Sequence, residues 1–487
     1  MAALTKNHGV RFIDAGEDAR TVVVPDFSTI GLIGHADDAD ETLFPLDKNV
    51  QIFGDEVEKI AKLGLTGDLP PAIDALLGEG INPSVIIRRV AKETAANAQL
   101  GAIIGDPSTR TGIWGFLDAK SETGVKPGLL VAPGYTGAVL TGVLSVNVTA
   151  GGTGYATPPA VTFAWTGATV LPKGEAVVNE AGAVTGVTIT DAGFGGTGSP
   201  TISFGGPGTG ATATAVTGSI ANPVAKTLSA VAKRLLAIAV IDGPNLGRTD
   251  AALWAEKLRS DDGRYLYAVD PAVRRFEADG QGVESILTRP SAISTAALFA
   301  KRDRARGGPY WSPENQTFSG IVGTARSVSY YDGEVDHDAN FLVAAGVNTI
   351  IEGKELFGSE TLSNDTNWRF VNKVRTENAI RAALPAAVRK WRGENFTAHN
   401  ALMIVKTIEF FLDELVSLGV VVGYTRYFDR GLNPNANMRQ GILRIELPHE
   451  NTPIISDLQI GMRPYIAAFD ILAEEIQQAL GTLSIAA

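Results

Sequence analysis

The chain has 487 residues and a mass of 51.1 kDa; 45% of it is apolar and 20% charged, a globular composition with length for about three domains. Its 42 basic and 53 acidic residues give a net charge of −11, which argues against nucleic acid or an anionic membrane as the main partner. There is no cysteine, which excludes disulfides and thiolate chemistry, and the longest strongly apolar run, Leu235 to Ile241, falls far short of the roughly 18 residues of a membrane span.

The first 20 residues show neither a helical period nor the apolar stretch of a secretory leader, so an extended arm on a soluble, non-exported chain is expected. Pro71 to Leu77 predicts a helix leading through Gly78-Glu79-Gly80 into a strand, Ser84 to Val90. Gly128-Leu129-Leu130-Val131-Ala132-Pro133 is a short run of buried-strand type.

The composition then changes abruptly. Gly137 to Gly218 holds 18 of the 54 glycines but only four charged residues, Lys173, Glu175, Glu180 and Asp191. The stretch also repeats itself at an offset of 41: Val146-Asn147-Val148-Thr149 matches Val187-Thr188-Ile189-Thr190, and Pro159 to Phe163 matches Pro200 to Phe204. Each copy reads as a strand, a glycine-rich turn and a second strand entered through proline, so an all-β module rich in Gly and Thr is expected. After it, Asn222 is a good helix N-cap, Pro223 suits the first turn, and Val224, Leu228, Val231 and Leu235 form a stripe. Strand Leu236 to Ile241, a helix from about Thr249 to Arg259 and strand Tyr265 to Val269 follow. With the module excised, the pattern is β-α-β-α-β, which predicts parallel strands and makes the module an insertion in a βα loop.

Downstream, Leu362 to Leu384 and Ala398 to Leu418 read as helices, the second with Leu402, Val405, Ile408, Leu412 and Leu415 on one face. Strands Tyr424 to Phe428 and Gly441 to Leu447 are expected on either side of a loop, Asp429 to Asn437. A last helix, Tyr465 to Leu480, carries Phe469, Leu472, Ile476 and Leu480 opposite Asp470, Glu474 and Gln477. The fold class is α/β: a mixed sheet with flanking helices, plus the all-β insertion and extended terminal arms.

Chemistry-bearing motifs are sparse. Gly193-Phe194-Gly195-Gly196-Thr197-Gly198 fits G-x-G-x-x-G, but a strand rather than a helix follows it, so a β-turn is expected instead of a pyrophosphate cradle. The five histidines, His8, His35, His337, His399 and His449, are scattered. Glu334-Val335-Asp336-His337-Asp338 lacks the glycine and distal glutamate of a calcium loop and reads as a solvated acidic loop. Lys301 to Arg306 reads as a solvated loop or protein contact. No G-x-S-x-G elbow and no Gly-Lys-Ser/Thr loop occurs. No catalytic, cofactor-binding or metal residue is nominated, which speaks against an enzyme. Charge is laid out unevenly. Arg369 to Arg392 has seven basic residues against Glu377, and Glu446 to Glu475 has six acids against Arg463. Such opposite patches either serve head-to-tail assembly or neutralise each other within the fold.

Gly308-Pro309-Tyr310-Trp311-Ser312-Pro313-Glu314-Asn315, then Phe318-Ser319-Gly320-Ile321-Val322-Gly323-Thr324-Ala325-Arg326, resembles the SP-x-N … GI-x-G-x-x-R stretch of contractile-tail sheath proteins. Asn364 to Thr376 is similar to that family's W-x-F-V-N-x-R-R run, with Lys373-Val374-Arg375 departing from the paired arginines. Gly31-Leu32-Ile33-Gly34-His35-Ala36, Asn433 to Asn437 and Gly441-Ile442-Leu443-Arg444-Ile445 fit the same pattern. The likeness covers everything except the glycine-rich stretch and points to the P2-like phage type, related to R-type pyocin and type VI secretion sheaths.

The resemblance implies a structural virion subunit. It would assemble in the host cytoplasm into a helical homopolymer around a tail tube, meet baseplate and tail terminator proteins, and contract without a cofactor to drive the tube through the host envelope. It implies residues 1–20 as an N-terminal arm with a donated strand at Val10 to Ile13. Residues 21–136 and 219–360 would form the α/β sheath domain, 137–218 an outer decoration, and 361–487 a C-terminal domain. The helix Tyr465 to Leu480 would face the tube, and Thr482 to Ile485 would form a second arm. Two other readings are a dinucleotide-binding α/β enzyme, against which the misplaced glycine fingerprint speaks, and a surface-glycan-binding or adhesin role for the β-module.

Overall fold

The computed structural model describes residues 22–278, 284–426 and 428–483. The arm expected over residues 1–20, with Val10 to Ile13, lies outside them. The chain divides into two compact units, Met1–Thr452 and Pro453–Ala487.

The first unit is built on an eight-stranded mixed sheet. In spatial order its strands are Glu355–Phe357, Val347–Ile351, Leu266–Val269, Ile238–Asp242, Leu129–Val131, Ile30–Gly34, Ser84–Arg89 and Asn49–Phe53. The six inner strands run parallel, and the strand at each edge is antiparallel to its neighbour. Ile30–Gly34, Ser84–Arg89, Leu129–Val131, Ile238–Asp242 and Leu266–Val269 are buried along their whole length. That is why they are largely apolar, Arg88 and Arg89 excepted: helices cover both faces of a parallel sheet.

Helix Pro223–Leu235 forms where local chemistry places it. The Asn222 side chain accepts hydrogen bonds from the Val224 and Ala225 amides, and Pro223 occupies the first turn. Val224, Leu228, Val231 and Leu235 are buried as one stripe. The next helix, Arg248–Leu258, buries Trp254 and Leu258, and Leu69–Gly78 precedes Ser84–Arg89. Ser291–Arg306 is also helical, so Lys301 to Arg306 is the last turn and a half of a helix rather than a loop.

Between Leu129–Val131 and Asn222 the chain forms strands only, six of them from Leu140 to Ile220. The two proline-entered strands pair with each other, Val161 with Phe204 and Phe163 with Ile202. Leu140–Thr153 pairs with Thr209–Ile220, and Lys173–Val178 with Val184–Asp191. The first strand of each repeat copy is therefore completed by the third strand of the other. Tyr155, Ala176 and Val184 form a small core of their own.

In the C-terminal part of the first unit, helix Val371–Ala387 packs beside helix Ala398–Ser417, with Ile380, Ala383, Ile408, Phe411, Leu412 and Leu415 in a second core. Two expectations fail here. Leu362 to Phe370 is not part of the α-helix: Glu360 bridges to Phe370 and Ser363 to Ser260, and the loop they close holds only one short 3-10 turn, Thr366–Trp368. Gly441 to Leu447 is not a strand, because the Asn433 side chain takes both backbone hydrogen bonds of Arg444. The strand expected from Tyr424 instead occupies Val421–Tyr424 and pairs with His449–Asn451. Leu402, expected on the buried face of Ala398–Ser417, is exposed.

The second unit contains one helix, Ala468–Leu483, three residues further along than the expected Tyr465 to Leu480. Phe469, Leu472, Ile476 and Leu480 are all exposed on it. Thr482 and Leu483 close this helix rather than starting an arm, and Ser484 and Ile485 lie outside the described residues.

Candidate assembly site

The glycine fingerprint serves the local β-structure. Gly193, Gly195 and Gly198 take positive φ of 60°, 87° and 68°, and strand Thr201–Phe204 follows, not a helix. A Cβ on Gly196 would sit 2.3 Å from the Trp165 ring, whose Nε1 donates to the Gly198 carbonyl. These glycines seat an indole.

In a doubly wound sheet, ligands bind outside the carboxyl ends of the strands where the order reverses. Here that point lies between Ile30–Gly34 and Leu129–Val131, and the chain's own side chains fill it. His35 is buried, with Nδ1 2.6 Å from Asp37 and Nε2 3.1 Å from Asp68. Lys92 Nζ lies 3.0 Å from the same Nε2, and the Tyr135 hydroxyl donates to Asp68. Burial, followed by the hydrogen bond to Asp68, pushes the Tyr135 phenol well above its usual range. At the neighbouring strand end, fully buried Asp242 accepts from the Gly134 and Ala292 amides, and burial outweighs those bonds to hold its carboxyl at about 6. The remaining opening, lined by Asp68, Pro71, Pro133 and Arg289, has a volume of about 50 Å³. That is space for a water-sized occupant and not for a nucleotide.

The acidic loop is confirmed as solvated over Glu334 to Asp336, but His337 is buried: its Nδ1 accepts from the Asn340 amide and caps helix Asp338–Ala344. Among the described residues no group of three or more His, Cys, Asp or Glu is placed to hold a metal ion. Among them, too, no helix is long and apolar enough to cross a membrane.

The basic run is largely neutralised inside the fold. Arg375 forms a buried bidentate pair with Asp303 at 2.8 and 2.5 Å. Arg369 bonds Glu360 at 2.7 Å, Arg381 bonds Glu377 at 2.6 Å and Lys373 bonds Glu450 at 2.7 Å. The last contact joins the basic and acidic runs directly, which favours mutual neutralisation for this part of both. Arg389, Lys390 and Arg392 remain on the exposed connection to helix Ala398–Ser417.

What the sequence did not reveal is a clamp around strand His449–Asn451. Helix Val371–Ala387 grips it with Asn372 to the Thr452 carbonyl at 2.9 Å, Lys373 to Glu450, and Glu377 to His449 at 2.8 Å, while Asn451 returns a bond to the Lys373 carbonyl. The visible signal was the i, i+4 spacing of Lys373 and Glu377 on one helical face. Nothing local announced their partner some 75 residues away. Beside this clamp, the sheet made by Val421–Tyr424 and His449–Asn451 has two strands, too few for independent stability. Nearby, an apolar groove of about 300 Å³ is lined by Leu402, Val405, Phe428, Leu443 and Ile445.

No family model matches the chain. A prophage major tail sheath protein of Pseudomonas aeruginosa (strain UCBPP-PA14) is 27% identical over 443 residues, covering 89% of this chain and 90% of the relative. The tail sheath protein of Escherichia phage P2 is 24% identical over 94% of this chain and 95% of its own length. Among solved structures, the contracted helical sheath of the anti-feeding prophage aligns with a TM-score of 0.54 at 13% identity, covering 94% of this chain and 99% of that one. The sheath complex of an extracellular contractile injection system, also contracted, gives 0.53 over 96% of this chain and all of the other. In fold, the chain is similar to the sheath subunits of contractile injection systems. The likeness over nearly the whole chain is to tail sheath proteins of phage P2 and of a prophage.

Proposed function

We propose that this chain polymerises helically around a tail tube and shortens on a baseplate trigger to drive the tube through a host envelope. The observation that carries the reading is the similarity to tail sheath proteins over nearly the full length of both chains. The fold likeness to contracted sheaths supports it. The work is structural, and relaxation of a metastable lattice supplies the drive.

Connection between subunits is assigned to the chain ends. Residues 1–20 would donate a strand to a neighbour, and the under-sized sheet of Val421–Tyr424 and His449–Asn451 is where an added strand is most needed. Helix Ala468–Leu483, with exposed Phe469, Leu472, Ile476 and Leu480 and with Asp470, Glu474 and Glu475, would face the tube. Residues 137–218 would form a separate outer decoration, a spacer rather than a glycan reader. The α/β sheath domain would span 21–136 and 219–360, and the C-terminal domain 361–487. Tube, baseplate and tail terminator proteins are the expected partners, and the virion the site of action, after assembly in the host cytoplasm.

Negative-stain microscopy of the purified protein, alone and co-expressed with its tube protein, tests this. Striated tubes or sleeves are expected. A discrete particle under all conditions overturns the reading. Deleting residues 2–19 is expected to abolish polymers while leaving the melting temperature of the monomer unchanged.

A further inference from the structure

His449 sits at the only place where the first unit's chain leaves for the second: Thr452 is followed directly by Pro453, the start of the segment carrying the terminal helix. The four residues before that exit are held by the clamp from helix Val371–Ala387. Both ring nitrogens of His449 face acceptors. Nε2 is 2.8 Å from a Glu377 carboxylate oxygen, and Nδ1 is 3.1 Å from the Leu447 carbonyl oxygen. A carbonyl can only accept, and an ionised carboxylate can only accept, so both contacts exist together only when both nitrogens carry protons. A neutral ring must give up one of them.

We infer that His449 is a pH-sensitive latch, pinning the root of the C-terminal segment to helix Val371–Ala387 when its imidazole is charged and loosening it when neutral. The charged neighbours agree. From the helix, Glu377 and Lys373 face the strand, and Arg381 bonds Glu377 from behind. From its own segment, Glu446 and Glu450 flank the cleft, and on the paired strand Tyr424 is the cross-strand neighbour. Only the imidazole among these has an ordinary titration near neutrality. The bond to Glu377 pushes it above its usual value despite burial, with the Leu447 carbonyl and Glu450 adding to the effect. For a base raised in this way, the stabilisation is complete below the ordinary histidine range and is lost as pH rises through the raised value. The clamp's other bonds, from Asn372, Asn451 and Lys373, do not titrate there, so the strand loosens without the domain unfolding.

The latch stands on geometry within one chain; its bearing on assembly rests on the sheath reading. Hydrogen exchange of the full-length monomer at Glu450 to Thr452, corrected for intrinsic rates, tests the latch alone. Between pH 6 and 9 the wild type is expected to lose about tenfold in protection, the effect of one charge-assisted hydrogen bond. His449→Lys, charged throughout, should stay protected across that range, and His449→Gln should show the wild type's reduced pH 9 protection at both ends. Protection that does not change with pH in the wild type overturns the proposal, as does the wild type's pH 6 protection in His449→Gln. If the glutamine variant does not fold, the ring titration of His449 in the wild type decides: a midpoint above 6.5 supports the latch, and one at or below it refutes it. Tube formation at the two pH values is read separately, so a failed sheath assignment leaves the exchange result standing.

Discussion

Arg375 is 1% exposed and Asp303 5%, and the guanidinium also lies 5.0 Å over the Phe299 ring. Removing one member of such a pair strands the other charge in the core, at a cost of about 3–5 kcal/mol. Asp303→Asn should therefore lower stability by that amount in chemical denaturation, whereas Asp303→Asn with Arg375→Met should lose clearly less than the sum of the two single changes. Additive losses would show that the charges do not depend on each other. Glu377 gives a second, pH-dependent expectation. Burial alone would raise its carboxyl, but bonds from His449 and Arg381 outweigh burial and hold it down at about 2. For an acid lowered in the folded state, the contribution is full above 4.5, the ordinary glutamate value, and disappears as pH falls towards 2. Acid unfolding of Glu377→Gln should be less steep between those values than that of the wild type, and identical slopes would show that the carboxylate gains nothing on folding. At this scale the sequence was least legible. The basic run from Arg369 to Arg392 could be read either as an assembly patch or as neutralised within the fold, because Asp303, Glu360 and Glu450 reach it only through tertiary packing.

Elements set by local chemistry were legible; those set by distant partners were not. Asn222-Pro223 announced a helix start, and the structure puts the Asn222 oxygen on two amides of the first turn. Its amide group does more, donating to the carbonyls of Tyr135 and Ala138. Asn222→Ala thus removes a cap and the donor to the part-buried carbonyls of Tyr135 and Ala138, for an expected loss of about 1–3 kcal/mol by thermal or denaturant unfolding. Asn222→Asp, which keeps the cap but not the donor, should fall between. A loss below 1 kcal/mol would mean that water replaces those bonds. The glycine-rich repeat was equally visible, since alternation and turns are local, but the exchange of third strands between its copies was not: pairing is a long-range choice. Leu362 to Phe370 was misread against its own composition: Ser363, Asn364, Asp365, Thr366 and Asn367 favour turns over a helix interior, and the helix starts only after them, at Val371. At the switch point, the order of strands could be anticipated from the β-α-β pattern, but the plug of His35, Asp37, Asp68 and Tyr135 comes from three separate loops.

For the whole molecule, the question is whether the β-stretch can be taken away. Its two ends are close: Leu140 pairs with Ile220, Gly142 with Gly218, and Asn222 bonds both Tyr135 and Ala138. A short linker can therefore replace residues 137–218 with little change in loop closure, an entropy that grows only slowly with length. Some apolar contact would be lost, because Phe194, Leu140 and Val170 pack against the main core. Phe194 is almost fully buried, and losing such a ring costs about 3–5 kcal/mol in a core that cannot close up. The deletion variant, retaining Leu140's neighbours on the main domain but exposing the seat of Phe194, should unfold in a single cooperative transition at lower temperature than the parent. It should keep the ability to form polymers, because the segments assigned to subunit exchange, residues 1–20 and the sheet of Val421–Tyr424 and His449–Asn451, lie outside residues 137–218. If instead cooperativity is lost, the stretch is part of the core that folds the α/β sheet. If cooperativity is kept while polymers vanish, the stretch is a lattice contact and not an outer decoration.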